Sequence, residues 1–172
     1  MSASILVTSA TRYGSTQEVA EAIAATLREA GLEIDIQPVK KVRALEKYRA
    51  VVLGAPLYIG RWHKEAHRFL SQNQAALTQQ PVAIFALGPL QDAEKQWRDV
   101  RAQLDKELAK YPWLTLVDLE MFGGKYDPGK LRFPIKWLAG KEPVSDLRDW
   151  TAVRTWASNL AAKFEPALSL SG

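Results

Sequence analysis

Apolar residues are grouped along the chain in short runs that predict strands. Continuous runs at residues 5–8, 50–53 and 82–87 are typical of parallel strands covered on both faces. At residues 33–37, Ile34 and Ile36 alternate with polar neighbours, which favours a strand near a sheet edge. Residues 114–122 provide a fifth strand.

Between these runs, apolar residues recur at helical spacing. Val19, Ile23 and Leu27 mark a first helix that ends near Gly31, and further helices are predicted around residues 69–77, 97–108 and 150–164. Strands that alternate with helices favour right-handed crossovers, so we expect an α/β fold with a doubly wound, five-stranded parallel sheet. The length of 172 residues suits a single domain over 1–172.

Residues 123–149 interrupt this alternation after the last strand. They are rich in glycine, proline and lysine and too long for an ordinary link between a strand and a helix. We therefore predict a long insertion loop over 123–149.

The amino-acid composition limits the kinds of chemistry that the protein can perform. The chain has no cysteine, which excludes disulfides, thiol nucleophiles and thiolate metal sites, so any redox chemistry must come from a bound cofactor. We expect cytoplasmic residence, because no signal-peptide pattern is present and no stretch reaches the roughly 20 apolar residues that span a bilayer. The net charge of +4 is modest and permits attraction to anionic surfaces.

The loop after the first strand combines hydroxyl side chains with a glycine directly before a helix. Ligands of open parallel sheets bind beyond the carboxyl ends of the strands, where the strand order reverses. Free backbone amides and the positive end of the helix dipole can there hold a phosphate. The alternative is that Thr11 or Ser15 simply caps the helix. Motifs for nucleoside triphosphates and dinucleotides are missing, which favours a mononucleotide.

The segment 11–16, of sequence TRYGST, resembles the FMN phosphate loop of the flavodoxin family. The resemblance implies a flavodoxin-like strand order of 2-1-3-4-5 and FMN as the cofactor. At residue 13, a backbone amide would replace the hydroxyl that many flavodoxins carry. The predicted phosphate contacts are Ser9, Thr11, Tyr13, Gly14, Ser15 and Thr16.

Two later loops have the features of a flavin-ring site, namely tight turns with flat apolar walls. Tyr58 or Trp62 could supply such a wall, although loop aromatics more often cap the core. These loops resemble the two flavin-ring loops of flavodoxins in order and placement. The predicted ring contacts are Pro56, Leu57, Tyr58, Ile59 and Gly60 after the third strand and Leu87, Gly88, Pro89 and Leu90 after the fourth.

His63 and His67 stand at the i, i+4 spacing of a metal site, but the sequence offers no HExxH arrangement. We expect them to be surface residues and predict no metal site.

The insertion interleaves basic and apolar residues over 125–141, a composition that suits an anionic membrane surface, a protein partner or a lid. With the phosphate loop and Asp149-Trp150, it resembles the flavodoxin-type, quinone-dependent protoporphyrinogen oxidases. That resemblance implies FMN-dependent oxidation of protoporphyrinogen IX to protoporphyrin IX in haem biosynthesis, with a quinone acceptor and peripheral contact at the inner face of the cell membrane. No residue can be singled out as a catalytic acid or base.

Other functions on this topology remain open or are disfavoured. An electron-carrier flavodoxin and an NAD(P)H:quinone reductase are alternatives, although carrier flavodoxins are usually acidic. A response-regulator receiver needs acidic residues where this chain has Ser9 to Thr11 and Gly54 to Pro56. Nucleic-acid binding is not expected, because basic charge is diffuse and no reading helix is evident.

Overall fold

The computed structural model describes residues 4–11, 14–58, 61–89, 93–126 and 145–170. Its strands are β1 (Ser4–Ser9), β2 (Glu33–Pro38), β3 (Tyr48–Tyr58), β4 (Arg61–Trp62), β5 (Val82–Leu87), β6 (Leu116–Phe122), β7 (Lys125–Tyr126) and β8 (Ser145–Asp146). Five of them form a parallel sheet in the order β2-β1-β3-β5-β6. This confirms the predicted architecture and the strand order 2-1-3-4-5 of its five long strands.

The helices are α1 (Ser15–Glu29), α2 (Lys64–Gln72), α3 (Gln74–Gln79), α4 (Glu94–Leu108) and α5 (Trp150–Leu170), with a 3-10 turn at Val39–Lys41. The helix predicted around residues 69–77 is in fact two helices. They separate at Asn73, whose side-chain amide donates to the carbonyl of Phe69 at 2.8 Å and so competes with the helical backbone. The last helix extends beyond its predicted end to Leu170.

Helices cover the sheet on both faces because side chains alternate along each strand. Ile5 and Val7 of β1 lie in the cluster that includes the apolar faces of α1 and α5, whereas Leu6 lies in the cluster with α2, α3 and α4. All three side chains are fully buried. Each contributes about 1.5–3 kcal/mol of hydrophobic stabilisation relative to exposure.

Two short antiparallel pairs extend this frame. β4 pairs with the end of β3, and β7 pairs with β8. The predicted loop over 123–149 therefore contains a short antiparallel pair of strands near its two ends. In this pair, Lys125 is in register with Asp146 and Tyr126 with Ser145. We call these four residues the insertion stem. The intervening residues 127–144 lie outside the described part of the chain. Among the described helices, none is long and apolar enough to cross a membrane.

Candidate functional site

Three loops leave adjacent strands at the carboxyl edge of the sheet. Ser9, the last residue of β1, is in register with Gly54 of β3, and Pro56 of β3 is in register with Leu87 of β5. The amide of Ala10 also donates to the carbonyl of Gly54 at 2.9 Å. The structure thus brings together the described parts of the predicted phosphate loop and of both predicted ring loops.

The start of α1 has no side-chain cap among the described residues. Gly14 is its N-cap, with a positive φ of 90° and no side-chain cap hydrogen bond. The amide of Gly14 donates to Thr11 Oγ1 at 2.9 Å, and the amide of Glu18 donates to the carbonyl of Gly14 at 3.2 Å. The amides of Ser15, Thr16 and Gln17 have no acceptor within a helix that begins there. Thr11 therefore shapes the turn rather than capping the helical amides, contrary to the capping alternative.

Thr16 adds a buried hydroxyl to these amides. The residue is fully buried, and its Oγ1 has no hydrogen-bond partner among the described residues. A buried hydroxyl without a partner costs about 1–3 kcal/mol, so a bound acceptor would recover this energy. A phosphate fits this donor set. Ser9 is also buried, whereas Thr11 and Ser15 are half-buried, and the predicted contact Tyr13 lies outside the described residues.

The end of β3 pairs antiparallel with β4, where Leu57 is in register with Trp62 and Tyr58 with Arg61. Pro56 and Leu57 are half-buried. Trp62 is 2% exposed, and its Nε1 donates to the carbonyl of Ala55 at 3.1 Å. The suggestion that Trp62 walls a flavin is therefore wrong: its ring is part of the core. The side chain of Tyr58 and the residues Ile59 and Gly60 lie outside the described part.

The loop after β5 is tied to the end of β6. The amide of Gly88 donates to the carbonyl of Phe122 at 2.8 Å, and the carbonyl of Pro89 accepts from the amide of Gly124 at 2.9 Å. Leu87, Gly88 and Pro89 are buried. These two backbone groups are thus already paired. Leu90, the last predicted contact of this loop, lies outside the described residues.

Arg148 is the residue near this site that sequence reasoning missed. Its guanidinium donates to the carbonyl of Ser15 at 3.4 Å and lies 3.3 Å from Glu18, although 133 positions separate Arg148 from Ser15. Hydrogen bonds from Arg148 lower the pKa of Asp146, and these bonds also raise the pKa of the guanidinium. No local motif signals a contact across so many residues.

Both histidines are half-buried, and each makes hydrogen bonds within the fold. His67 binds the hydroxyl of Tyr111 through Nδ1 and the carboxylate of Glu107 through Nε2. His63 Nδ1 accepts from the amide of Glu65 at 3.1 Å and caps α2. The carboxylate partner of His67 is Glu107, 40 residues away in sequence, so no local sequence pattern indicates the pair. Among the described residues, no group of three histidine, aspartate or glutamate side chains could hold a metal ion.

Glu107 also contacts β4, the strand that pairs with the end of β3. Its carboxylate accepts from the amide of Trp62 at 3.4 Å and lies 3.3 Å from Lys110. Burial alone would raise the pKa of Glu107, but the hydrogen bonds from His67, Lys110 and Trp62 outweigh burial and lower it. The ionised carboxylate thus holds β4 against α2 and α4.

Comparisons with known proteins agree with this fold. The family model described as "Flavodoxin domain" matches residues 6–137. The chain is 26% identical over 151 residues to the protoporphyrinogen IX dehydrogenase [quinone] of Escherichia coli K12, covering 73% of this chain and 83% of that protein. The same identity and coverage are found for the protein of that name from Escherichia coli O157:H7.

Solved flavodoxins share the fold. An archaeal flavodoxin aligns with a TM-score of 0.59 at 12% identity, covering 93% of this chain and 97% of its own. Oxidised flavodoxin 1 of Bacillus cereus gives 0.57 at 18% identity, with 94% and 97% covered. The Streptococcus pneumoniae TIGR4 flavodoxin gives 0.59 at 16%, with 94% and 99% covered. Membership of the flavodoxin domain family implies FMN binding, and the match over residues 6–137 places this chain in that family.

Proposed function

We propose that this protein binds FMN non-covalently at the carboxyl edge of its sheet and uses it to transfer electrons. The observation that carries the proposal is the start of α1, where amides without helical acceptors adjoin the buried, unpaired hydroxyl of Thr16. A phosphate accepts several hydrogen bonds at once and is favoured by the helix dipole. When bound, FMN would supply the redox chemistry that a chain without cysteine lacks.

The residues of this chain would bind and orient the cofactor. The loop between β1 and α1 would hold the phosphate, while the loops after β3 and β5 would lie along the ring. The paired backbone groups of Gly88 and Pro89 fix the second of these loops to β6. The proposed contacts are Ser9, Thr11, Tyr13, Gly14, Ser15 and Thr16 for the phosphate, and 56–60 and 87–90 for the ring.

Titration of the apoprotein with FMN tests this proposal. We expect saturable binding of one FMN per chain at micromolar concentrations or below. Quenching of flavin fluorescence measures this binding. FAD and NAD should bind more weakly, because the loop lacks a dinucleotide motif. Failure to bind FMN at micromolar concentrations would contradict the proposal.

We further propose that the reaction is the oxidation of protoporphyrinogen IX to protoporphyrin IX with a quinone as electron acceptor. The support is the similarity to a protein named protoporphyrinogen IX dehydrogenase [quinone], which covers 73% of this chain.

The insertion supports a membrane-associated reaction. Porphyrinogen and lipophilic quinones both partition toward membranes, and residues 125–141 carry four lysines and one arginine against one aspartate. The stem follows directly after β6, at the same edge as the proposed cofactor site. We therefore include peripheral contact with an anionic membrane in the proposal.

The decisive assay supplies FMN-loaded protein with protoporphyrinogen IX and menaquinone under anaerobic conditions. Porphyrin fluorescence should rise faster than in a control without protein. If the rate equals that of the control while the bound flavin still accepts electrons from a reductase, an electron-carrier function replaces the oxidase. Rapid reduction of the flavin by NADH or NADPH would instead favour a quinone reductase.

A further inference from the structure

Arg148 joins the insertion stem to the main body of the fold. Its Nε and Nη2 donate to the two carboxylate oxygens of Asp146 at 2.9 and 2.8 Å, a bidentate arrangement that fixes the guanidinium plane. The side chain of Arg148 is only 4% exposed. Beside it, the amide of Leu147 donates to the carbonyl of Gly124 at 3.0 Å and continues the pairing of the stem.

The other side of the guanidinium faces the first turn of α1. Nη1 donates to the carbonyl of Ser15 at 3.4 Å and pairs with Glu18 at 3.3 Å. The guanidinium carbon also lies 4.8 Å from the centre of the Trp150 ring, at the start of α5. One cation thus connects the stem, α1 and α5 next to the amides assigned above to the phosphate.

Arg148 also affects the electrostatic charge near the proposed phosphate site. Glu18 and Asp146 are carboxylates close to a site proposed to bind a dianion, and without a cation they would repel it. Arg148 pairs with both, and Lys125 interacts electrostatically with Asp146. The two cations therefore balance the two carboxylates.

We propose that Arg148 is a positioning residue for the phosphate of FMN. Its guanidinium holds the first turn of α1 against the insertion stem and neutralises the carboxylates of Glu18 and Asp146. The inference rests on the proposed FMN binding and assigns a role to a residue outside the phosphate loop itself. It predicts that loss of Arg148 weakens binding of the phosphate of FMN and leaves binding of the flavin ring largely unchanged.

The experiment compares FMN with riboflavin, which has the same ring but no phosphate. In Arg148→Gln, FMN binding should weaken about tenfold, while riboflavin binding changes by less than about threefold. Arg154→Gln removes the same charge from an exposed position on α5 and should leave both dissociation constants unchanged. Raising the salt concentration should reduce the effect of Arg148→Gln, because the carboxylates are partly exposed.

Arg148→Lys keeps the test decisive if Arg148→Gln fails to fold. It keeps the charge but loses the bidentate geometry, so FMN should bind more weakly than to the unaltered protein, by less than about tenfold, while riboflavin binding stays unchanged. A double variant extends the test where Arg148→Gln folds. Removing Glu18 as well, in Arg148→Gln/Glu18→Gln, should restore part of the FMN affinity.

Equal losses for FMN and riboflavin, or an unchanged FMN affinity in all variants that fold, would overturn the role of Arg148. If the unaltered protein binds no FMN, the proposed function itself fails.

Discussion

At the scale of single residues, we expect Thr16 to link the proposed FMN binding to the stability of the apoprotein. Its hydroxyl is fully buried without a partner among the described residues, so Thr16→Val removes an unsatisfied group while keeping the shape of the side chain. We expect the variant to bind FMN about 1–3 kcal/mol more weakly. Urea unfolding should show that the apoprotein is as stable as before or more stable.

Thr26 provides the matched control in the same helix. Its hydroxyl donates to the carbonyl of Ala22 at 3.0 Å, far from the start of α1. Thr26→Val should lower stability by about 0.5–1.5 kcal/mol and leave FMN binding unchanged. Equal FMN affinity in Thr16→Val and the unaltered protein would place the phosphate elsewhere.

Gly14 contributes through backbone conformation alone. Its φ is 90°, and a Cβ built there would meet nothing within 4 Å, so Gly14→Ala adds strain without a clash. We expect a stability loss of about 1–2 kcal/mol together with weaker FMN binding, because the strain is relieved by moving the phosphate loop. Thermal unfolding and FMN titration measure the two effects.

Gly31 separates these two effects. Its φ is 91° with equally open surroundings, but it follows the other end of α1. Gly31→Ala should cost similar stability and leave FMN affinity intact. Parallel losses of FMN affinity in both variants would mean that general destabilisation, rather than loop geometry, governs binding.

At the scale of elements, Glu107 connects α4, α2 and β4 and should make their packing depend on pH. Its hydrogen bonds hold the pKa below 4.5, the ordinary value, so the ionised form is favoured in the folded protein. The stabilisation is complete above about pH 4.5 and is lost as the pH falls through the folded pKa. Glu107→Gln should therefore cost about 1–3 kcal/mol at pH 7 and progressively less in acid.

Denaturant unfolding of both proteins between pH 3 and 7 checks this dependence. Asp105→Asn is the control, because Asp105 lies on the same helix in an exposed pair with Arg101 at 3.2 Å. Such a pair contributes about 0–1 kcal/mol. A loss for Glu107→Gln that stays constant across the pH range would show that ionisation of Glu107 is not its source.

The long elements were predictable because each repeats its apolar period several times. Residues 82–87 form one fully buried strand, and Val19, Ile23 and Leu27 lie on the buried face of one helix. The pairs of β4 with β3 and of β7 with β8 are two residues long and show no period. The core position of Trp62 and the partners of His67 and Arg148 depend on chain segments that meet only in three dimensions.

At the scale of the whole molecule, the position of the insertion leads to a prediction about membranes. The stem flanks residues 127–144 in sequence and itself follows β6 at the carboxyl edge of the sheet, beside the proposed FMN site. A basic segment fixed there would bring an anionic membrane close to the cofactor. Each lysine or arginine near such a surface contributes about 1 kcal/mol of attraction, which salt screens over a Debye length of about 8 Å at physiological ionic strength.

We therefore expect the protein to float with anionic vesicles at low salt, to dissociate as salt rises, and to bind neutral vesicles less. Lys130→Glu/Arg132→Glu reverses two charges within the insertion, and Lys40→Glu/Lys41→Glu makes the same change at an exposed turn elsewhere. The first pair should abolish flotation, whereas the second should reduce it slightly through net charge alone. Equal losses in the two variants would assign the attraction to the overall charge of +4, and the insertion would then have no special part in it.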